Sequence, residues 1–258
     1  MDLSLVLAAC LISLIGLPHG ALDPVIAHRH GLIKGPGSAL GFTGLYLAIV
    51  GSVISVWLWL PSTTLTIFLL ISAWHFGRDW RHPLKVRGFG YGAFVLGLPS
   101  LIHPTDVQQI FEFLLFGESP IFTIRIVSIL GVTGIIILAL EWRNINIIRL
   151  TELLGLAICA WIFSPLWYFV IYFCALHSPR HLIPEFRQVK PNHRLIVYLV
   201  MLTTTIATLV IAVFAGAMFE KYYEDLNTLS YQLIFIGLAG LTVPHMLLLE
   251  WTGEAFNE

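Results

Sequence analysis

The 258-residue chain is 57% hydrophobic and 11% charged, with a formal net charge of -1. Soluble domains carry about 25% charged residues, so the composition excludes an ordinary soluble enzyme. The near-neutral charge, with no long basic run, excludes a nucleic-acid binder. Several uncharged stretches approach or exceed the ~20 residues that cross a bilayer as helix, so residues 1–258 read as a single all-α domain, a polytopic integral membrane helical bundle of about eight transmembrane helices.

In chain order the apolar runs predict spans at Leu3–His19, Ser38–Leu60, Ser62–Gly77, Gly88–His103, Ile121–Glu141, Leu150–His177, Leu195–Phe219 and Thr228–Glu250. Turn formers such as Gly35-Pro36-Gly37 and Leu60-Pro61-Ser62 punctuate the joints. Asp106–Gly117 is apolar but short, and is expected at the interface or as a re-entrant segment. Leu7-Ala8-Ala9-Cys10 superficially matches a lipoprotein cleavage box. No Lys or Arg precedes it and the apolar run continues to Leu17, so the N-terminus is expected to stay as helix. Cys10, Cys159 and Cys174 all lie in apolar runs and read as small buried hydrophobes.

Basic residues favour cytoplasmic loops. They concentrate in three: 28–34 (Arg29, Lys34), 78–87 (Arg78, Arg81, Lys85, Arg87) and 180–194 (Arg180, Arg187, Lys190, Arg194). The acidic loops 104–120 and 220–225 are expected outside, and with them the N-terminus. One conflict arises. A single span from 150 to 177 would put loop 180–194 on the wrong side. A break at Ser164-Pro165 or a crossing by Asp106–Gly117 resolves it, and a proline that ends a helix favours the break.

Four histidines, His19, His75, His177 and His181, fall at helix ends entering the predicted inner loops, so all share one membrane depth near the cytoplasmic side. Ionisable groups at such positions point to function. His177-Ser178-Pro179-Arg180-His181 is an H-x3-H, which on a helix aims both imidazoles at one metal, although Pro179 suggests that the pair straddles a bend. His19 and Asp23, like His75 and Asp79, are four apart. A carboxylate at that spacing either orients the imidazole or serves as a ligand; otherwise it marks the aqueous end of the helix. Asp79, between Arg78 and Arg81, reads as the last of these, while for Asp23 the readings stay open. His28, His30, His82 and His193 read as interfacial decoration, and His103 lies on the outer side. His245, in Val243-Pro244-His245-Met246, lies inside the last span and echoes Leu17-Pro18-His19-Gly20. It and Asp23 are candidates for a supporting role around the ligands. An all-histidine set points to iron, zinc or copper. Its open coordination positions suit Fe(2+) with O2 and substrate better than a closed structural zinc. Trp74, Phe76, Tyr172 and Phe173 flank the histidines and are candidate walls for an apolar conjugated ligand.

Gly16-Leu17-Pro18-His19-Gly20-Ala21-Leu22-Asp23 resembles the signature of the Brp/Blh family, membrane β-carotene dioxygenases that accompany microbial rhodopsins. Trp74-His75-Phe76-Gly77, His177-Ser178-Pro179-Arg180-His181 and Val243-Pro244-His245-Met246 resemble its later blocks, and the likeness spans nearly the whole chain. The resemblance implies iron on His19, His75, His177 and His181, and cleavage of β-carotene by O2 at the central 15,15′ double bond to two all-trans-retinals. It also implies a multi-pass protein of the cell (inner or plasma) membrane that passes its product to a microbial rhodopsin. No catalytic residue is expected beyond the metal ligands.

Competing readings fare less well. A di-iron membrane hydroxylase needs about eight histidines in several clusters, where this chain has one H-x3-H. A b-type cytochrome needs facing mid-helix histidines. A carotenoid-binding or transport protein without catalysis is the remaining alternative.

Overall fold

The computed structural model describes residues 2–80 and 84–253, so Arg81 and His82 lie outside the described residues. Every regular element among the described residues is helical. In chain order these are α1 (Leu3–Leu11), α2 (Asp23–Arg29), α3 (Pro36–Trp59), α4 (Pro61–Phe76), α5 (Lys85–Ile102), α6 (Pro104–Leu114), α7 (Ile121–Glu141), α8 (Ile147–Ile162), α9 (Pro165–Tyr172), α10 (Ser178–Gln188), α11 (Arg194–Phe219) and α12 (Leu226–Thr252). The chain divides into two compact units: Met1–Leu58 with Phe173–Glu258, and Trp59–Tyr172.

In the first unit α1 runs into α2 through a π-helical turn, Ile12–Gly16, and a 3-10 turn, Leu17–Leu22. Pro18 explains the irregularity. It has no N–H to give and its ring would strike the carbonyl four residues back. The helix widens ahead of it, and the Leu17 N–H bonds Ile12 O, five residues away. A second π turn, Phe173–His177, likewise ends two residues before a proline, Pro179, which sits in the first turn of α10. The two π turns pack on each other. The Ser178 hydroxyl donates to Ile15 O at 2.6 Å and the Cys174 thiol to Leu11 O at 3.4 Å. A Cβ added to Gly16 would lie 2.4 Å from Phe173 Cε1, so only glycine allows this approach. Ile26 and Ala27 of α2 pack on Leu248 and Leu249 of α12, with Phe42 of α3 alongside.

In the second unit α5 and α7 pack backbone to backbone. A Cβ on Gly97 would lie 2.1 Å from the Gly131 nitrogen, the close approach that small residues permit between membrane helices. Across α4 and α7 the Thr66 and Thr123 hydroxyls pair at 2.9 Å. The expected interfacial segment is α6, whose Val107, Phe111 and Leu114 are buried along one face; its 11 residues are too few to cross. The expected break is present. α8 ends at Ile162, Phe163 is extended (φ −104°, ψ 151°), and Pro165 opens α9.

Among the described residues, five helices are long and apolar enough to cross a membrane: Leu3–Arg29, Pro36–Trp59, Ile121–Asn144, Pro191–Tyr222 and Leu226–Thr252. A helical membrane bundle is consistent with this, although these five do not establish the expected eight. The outward side of α11 carries Leu195, Leu199, Leu202, Val210, Val213 and Phe214, a face suited to lipid rather than water. The cysteines are all free. Cys174 is buried as expected, but Cys10 is exposed on the outward face of α1, because that helix buries only Leu5 and Ala8.

Candidate metal centre

The first unit gathers four imidazoles. His19 lies in the 3-10 turn, His177 ends the second π turn, His181 is in the first turns of α10, and His245 is on α12. The ring centroid of His19 is 5.0 Å from that of His177, 5.3 Å from His245 and 6.0 Å from His181. The H-x3-H pair stays together despite Pro179, with ring centroids 4.6 Å apart and ring nitrogens within 4.8 Å of each other. The proline sits where a missing N–H costs nothing, and the π turn before it swings His177 toward His181.

Backbone and carboxylate groups set the tautomers. His19 Nδ1 lies 2.5 Å from Gly16 O. A carbonyl only accepts, so Nδ1 carries the proton and Nε2 keeps its lone pair. His245 Nδ1 donates to Asp23 Oδ1 at 2.6 Å, and the Tyr46 hydroxyl donates to Asp23 Oδ2 at 2.8 Å. Asp23 is 1% exposed. The spacing argument paired Asp23 with His19, but the structure pairs it with His245, because the 3-10 turn moves His19 off the α-helical register. Phe173 stacks on His177 (5.4 Å, 17°) and meets the His19 ring edge-on at 5.5 Å.

Beside the histidines is a cavity of about 290 Å³, walled by residues that include His19, Tyr46, Thr204, Thr208, Leu241 and His245. Two of its threonines are less polar than they read. The Thr204 hydroxyl turns back to Val200 O at 2.7 Å and the Thr208 hydroxyl to Thr204 O at 3.0 Å. An adjoining cavity of about 500 Å³ shares Leu17, Thr208, Leu238 and Leu241 and extends to Glu220. Trp74, Phe76, Tyr172 and Phe173 line neither.

In the second unit His75 ends α4 and is 1% exposed. Its neighbour Phe76 meets Tyr172 edge-on at 5.1 Å, and Tyr172 stacks with Trp80. Asp79, expected at an aqueous helix end, is buried instead and accepts from the Tyr172 hydroxyl at 2.5 Å, because the chain turns inward through the 3-10 segment Gly77–Trp80. His103 is within hydrogen-bonding distance (2.9 Å) of Ala160 O.

Sequence reasoning missed Tyr46. The available signal was a lone phenol inside an otherwise apolar span, since a buried hydroxyl there needs a partner. The roles of Gly16 and Ser178 had no such signal, because both depend on the π turns.

A family model described as beta-carotene 15,15′-dioxygenase matches residues 10–252. A relative of that name from an uncultured marine bacterium 66A03 is 32% identical, over 95% of this chain and 92% of the relative. No solved structure matches.

Proposed function

The chain belongs to the beta-carotene 15,15′-dioxygenase family, and from that premise we propose that it is a membrane oxidoreductase that cleaves β-carotene at its central double bond to two retinals, with iron and O2. The observation that carries this reading is the apolar cavity that has His19 in its wall. The donors fit a metal. His19, His177 and His181 are neutral nitrogen ligands by type, and Nε2 of His19 is left free by the Gly16 carbonyl. His75, buried at the end of α4, is the proposed fourth ligand. Bound iron would supply the one-electron chemistry that lets O2 react with a closed-shell polyene.

The protein's own share is positioning. The cavity walls desolvate the polyene, and the Thr204 and Thr208 hydroxyls turned onto helix carbonyls keep that part of the wall apolar. Phe173, packed on two of the rings, holds them against rotation. In the overall reaction the central carbon–carbon double bond is broken, two aldehyde carbon–oxygen bonds form, and one O2 balances the atoms. The substrate enters from the bilayer of the cell membrane, and the retinal serves a microbial rhodopsin.

The test is expression in cells that make β-carotene, with iron per chain and retinal per cell measured together. About one iron and abundant retinal are expected, both lost in His177→Ala. Full-rate retinal formation by folded His177→Ala overturns the metal assignment. Iron with other apocarotenals in place of retinal moves the cut.

A further inference from the structure

We propose that His245 is a metal ligand alongside His19, His177 and His181, held by Asp23, whose other oxygen is fixed by Tyr46. The proposal rests on the metal-dependent reading above and adds three residues to it.

Three observations converge. First, His245 stands as near to His19 as the other histidines do, at 5.3 Å between centroids against 5.0 Å for His177 and 6.0 Å for His181. Both His19 and His245 line the same cavity. Second, the two imidazoles are prepared alike. Each has Nδ1 tied to an acceptor, Gly16 O for His19 and Asp23 Oδ1 for His245, which leaves Nε2 as the donor atom. A carboxylate behind a ligating imidazole fixes its tautomer and raises its basicity.

Third, the carboxylate itself needs a cation. Asp23 is 1% exposed, and its partners among the described residues are the Tyr46 hydroxyl and the His245 ring. A buried carboxylate costs several kcal/mol without a cation, and the charge that faces Asp23 comes through the His245 ring, either as a proton on it or as a metal ion beyond it. A divalent ion on the far side of the His245 ring supplies the missing charge. A packing hydrogen bond between α2 and α12 alone would not call for an ionised group, since an amide at position 23 would serve it. Tyr46 completes the arrangement, donating to Asp23 at 2.8 Å with Leu241 O at 3.2 Å from the same hydroxyl. It aims the carboxylate and is a positioning residue, as Asp23 is.

The test uses the purified full chain and cobalt(II), whose visible bands report coordination number. Wild type, His177→Ala, His245→Gln, Asp23→Asn and Tyr46→Phe are titrated against a chelator. His245→Gln is expected to weaken cobalt binding at least tenfold and to shift the bands toward lower coordination. Asp23→Asn should lose about 10–100-fold in affinity, and Tyr46→Phe a few-fold, each with the wild-type elution profile. His245→Gln that binds within twofold of wild type with an unchanged spectrum overturns the proposal. Should that variant aggregate, the same result from Asp23→Asn overturns it. Cobalt uptake that is lost in His177→Ala but kept in these variants leaves the metal reading standing and removes His245 from it. No uptake by wild type overturns both.

Discussion

Gly16 shows how one missing side chain sets the candidate site. Its Cα faces the Phe173 ring so closely that a Cβ would sit 2.4 Å from Cε1, and that ring stacks on His177 and touches His19. Gly16 also supplies the carbonyl that orients His19. Gly16→Ala therefore acts on three groups at once. Overpacking of this kind costs about 1–3 kcal/mol, and relief by rotation of Phe173 would displace His177. The expected outcome is a lower unfolding temperature in detergent together with weaker metal retention against a chelator. A variant with both unchanged would show that Phe173 does not brace the imidazoles. The block Gly16–Asp23 was legible as a candidate site because a Pro-His-Gly run at a membrane-helix end puts an ionisable residue where it needs a reason to be. The partner of Asp23 was not legible, because spacing arguments assume an α-helical register and residues 17–22 are 3-10.

At the scale of elements, the prolines were readable and their consequence was not. Pro165 marks a helix start where the charge pattern requires a break. Pro18 and Pro179 each mark an irregular turn, but whether a proline kinks, ends or widens a helix depends on which neighbours take the freed carbonyls. Here the π turns are tied instead by bonds from Ser178 and Cys174 to the carbonyls of Ile15 and Leu11, contacts more than 160 residues apart in sequence. The start of α12, which carries His245, was readable locally. Asp225 accepts from the backbone N–H groups of Asn227 and Thr228 and from the Thr228 hydroxyl. These bonds, the Asn227 amide foremost, hold its carboxyl below the ordinary value of 3.8. A depressed carboxyl stabilises the fold above its unfolded pKa, and that contribution is lost as pH falls through the lower folded value. Asp225→Ala should therefore speed amide exchange at Asn227 and Thr228 at neutral pH. The difference from wild type should vanish at pH well below the ordinary carboxylate range. A difference that persisted there would assign the cap to something other than the ionised carboxylate.

At the scale of the whole chain, the helix breaks and the loop charges bear on one question, the path through the membrane. Lys and Arg favour the cytoplasmic side, and with the 11-residue α6 too short to cross, the three basic loops share that side if the stretch from 150 to 177 crosses twice. The structure supplies the two helices: α8 stops at Ile162, and a helical path resumes at Pro165 and runs through the π turn to Gln188. Counting from an outside N-terminus then puts the turn Trp142–Asn144 inside and the turn Glu220–Tyr222 outside. Arg143 agrees with the first placement and Glu220 with the second. The same count puts the ends of the segments bearing His19, His177 and His181 on the inner side; their rings converge within one unit. The expected outcome is measurable in intact cells with a membrane-impermeant maleimide. After replacement of exposed Cys10 by serine, a cysteine at Glu224 should label from outside and one at Asn144 only after the cells are opened. Labelling of both only after the cells are opened would show that α8 and α9 form one crossing, and the basic loop 180–194 would then lie opposite the other two.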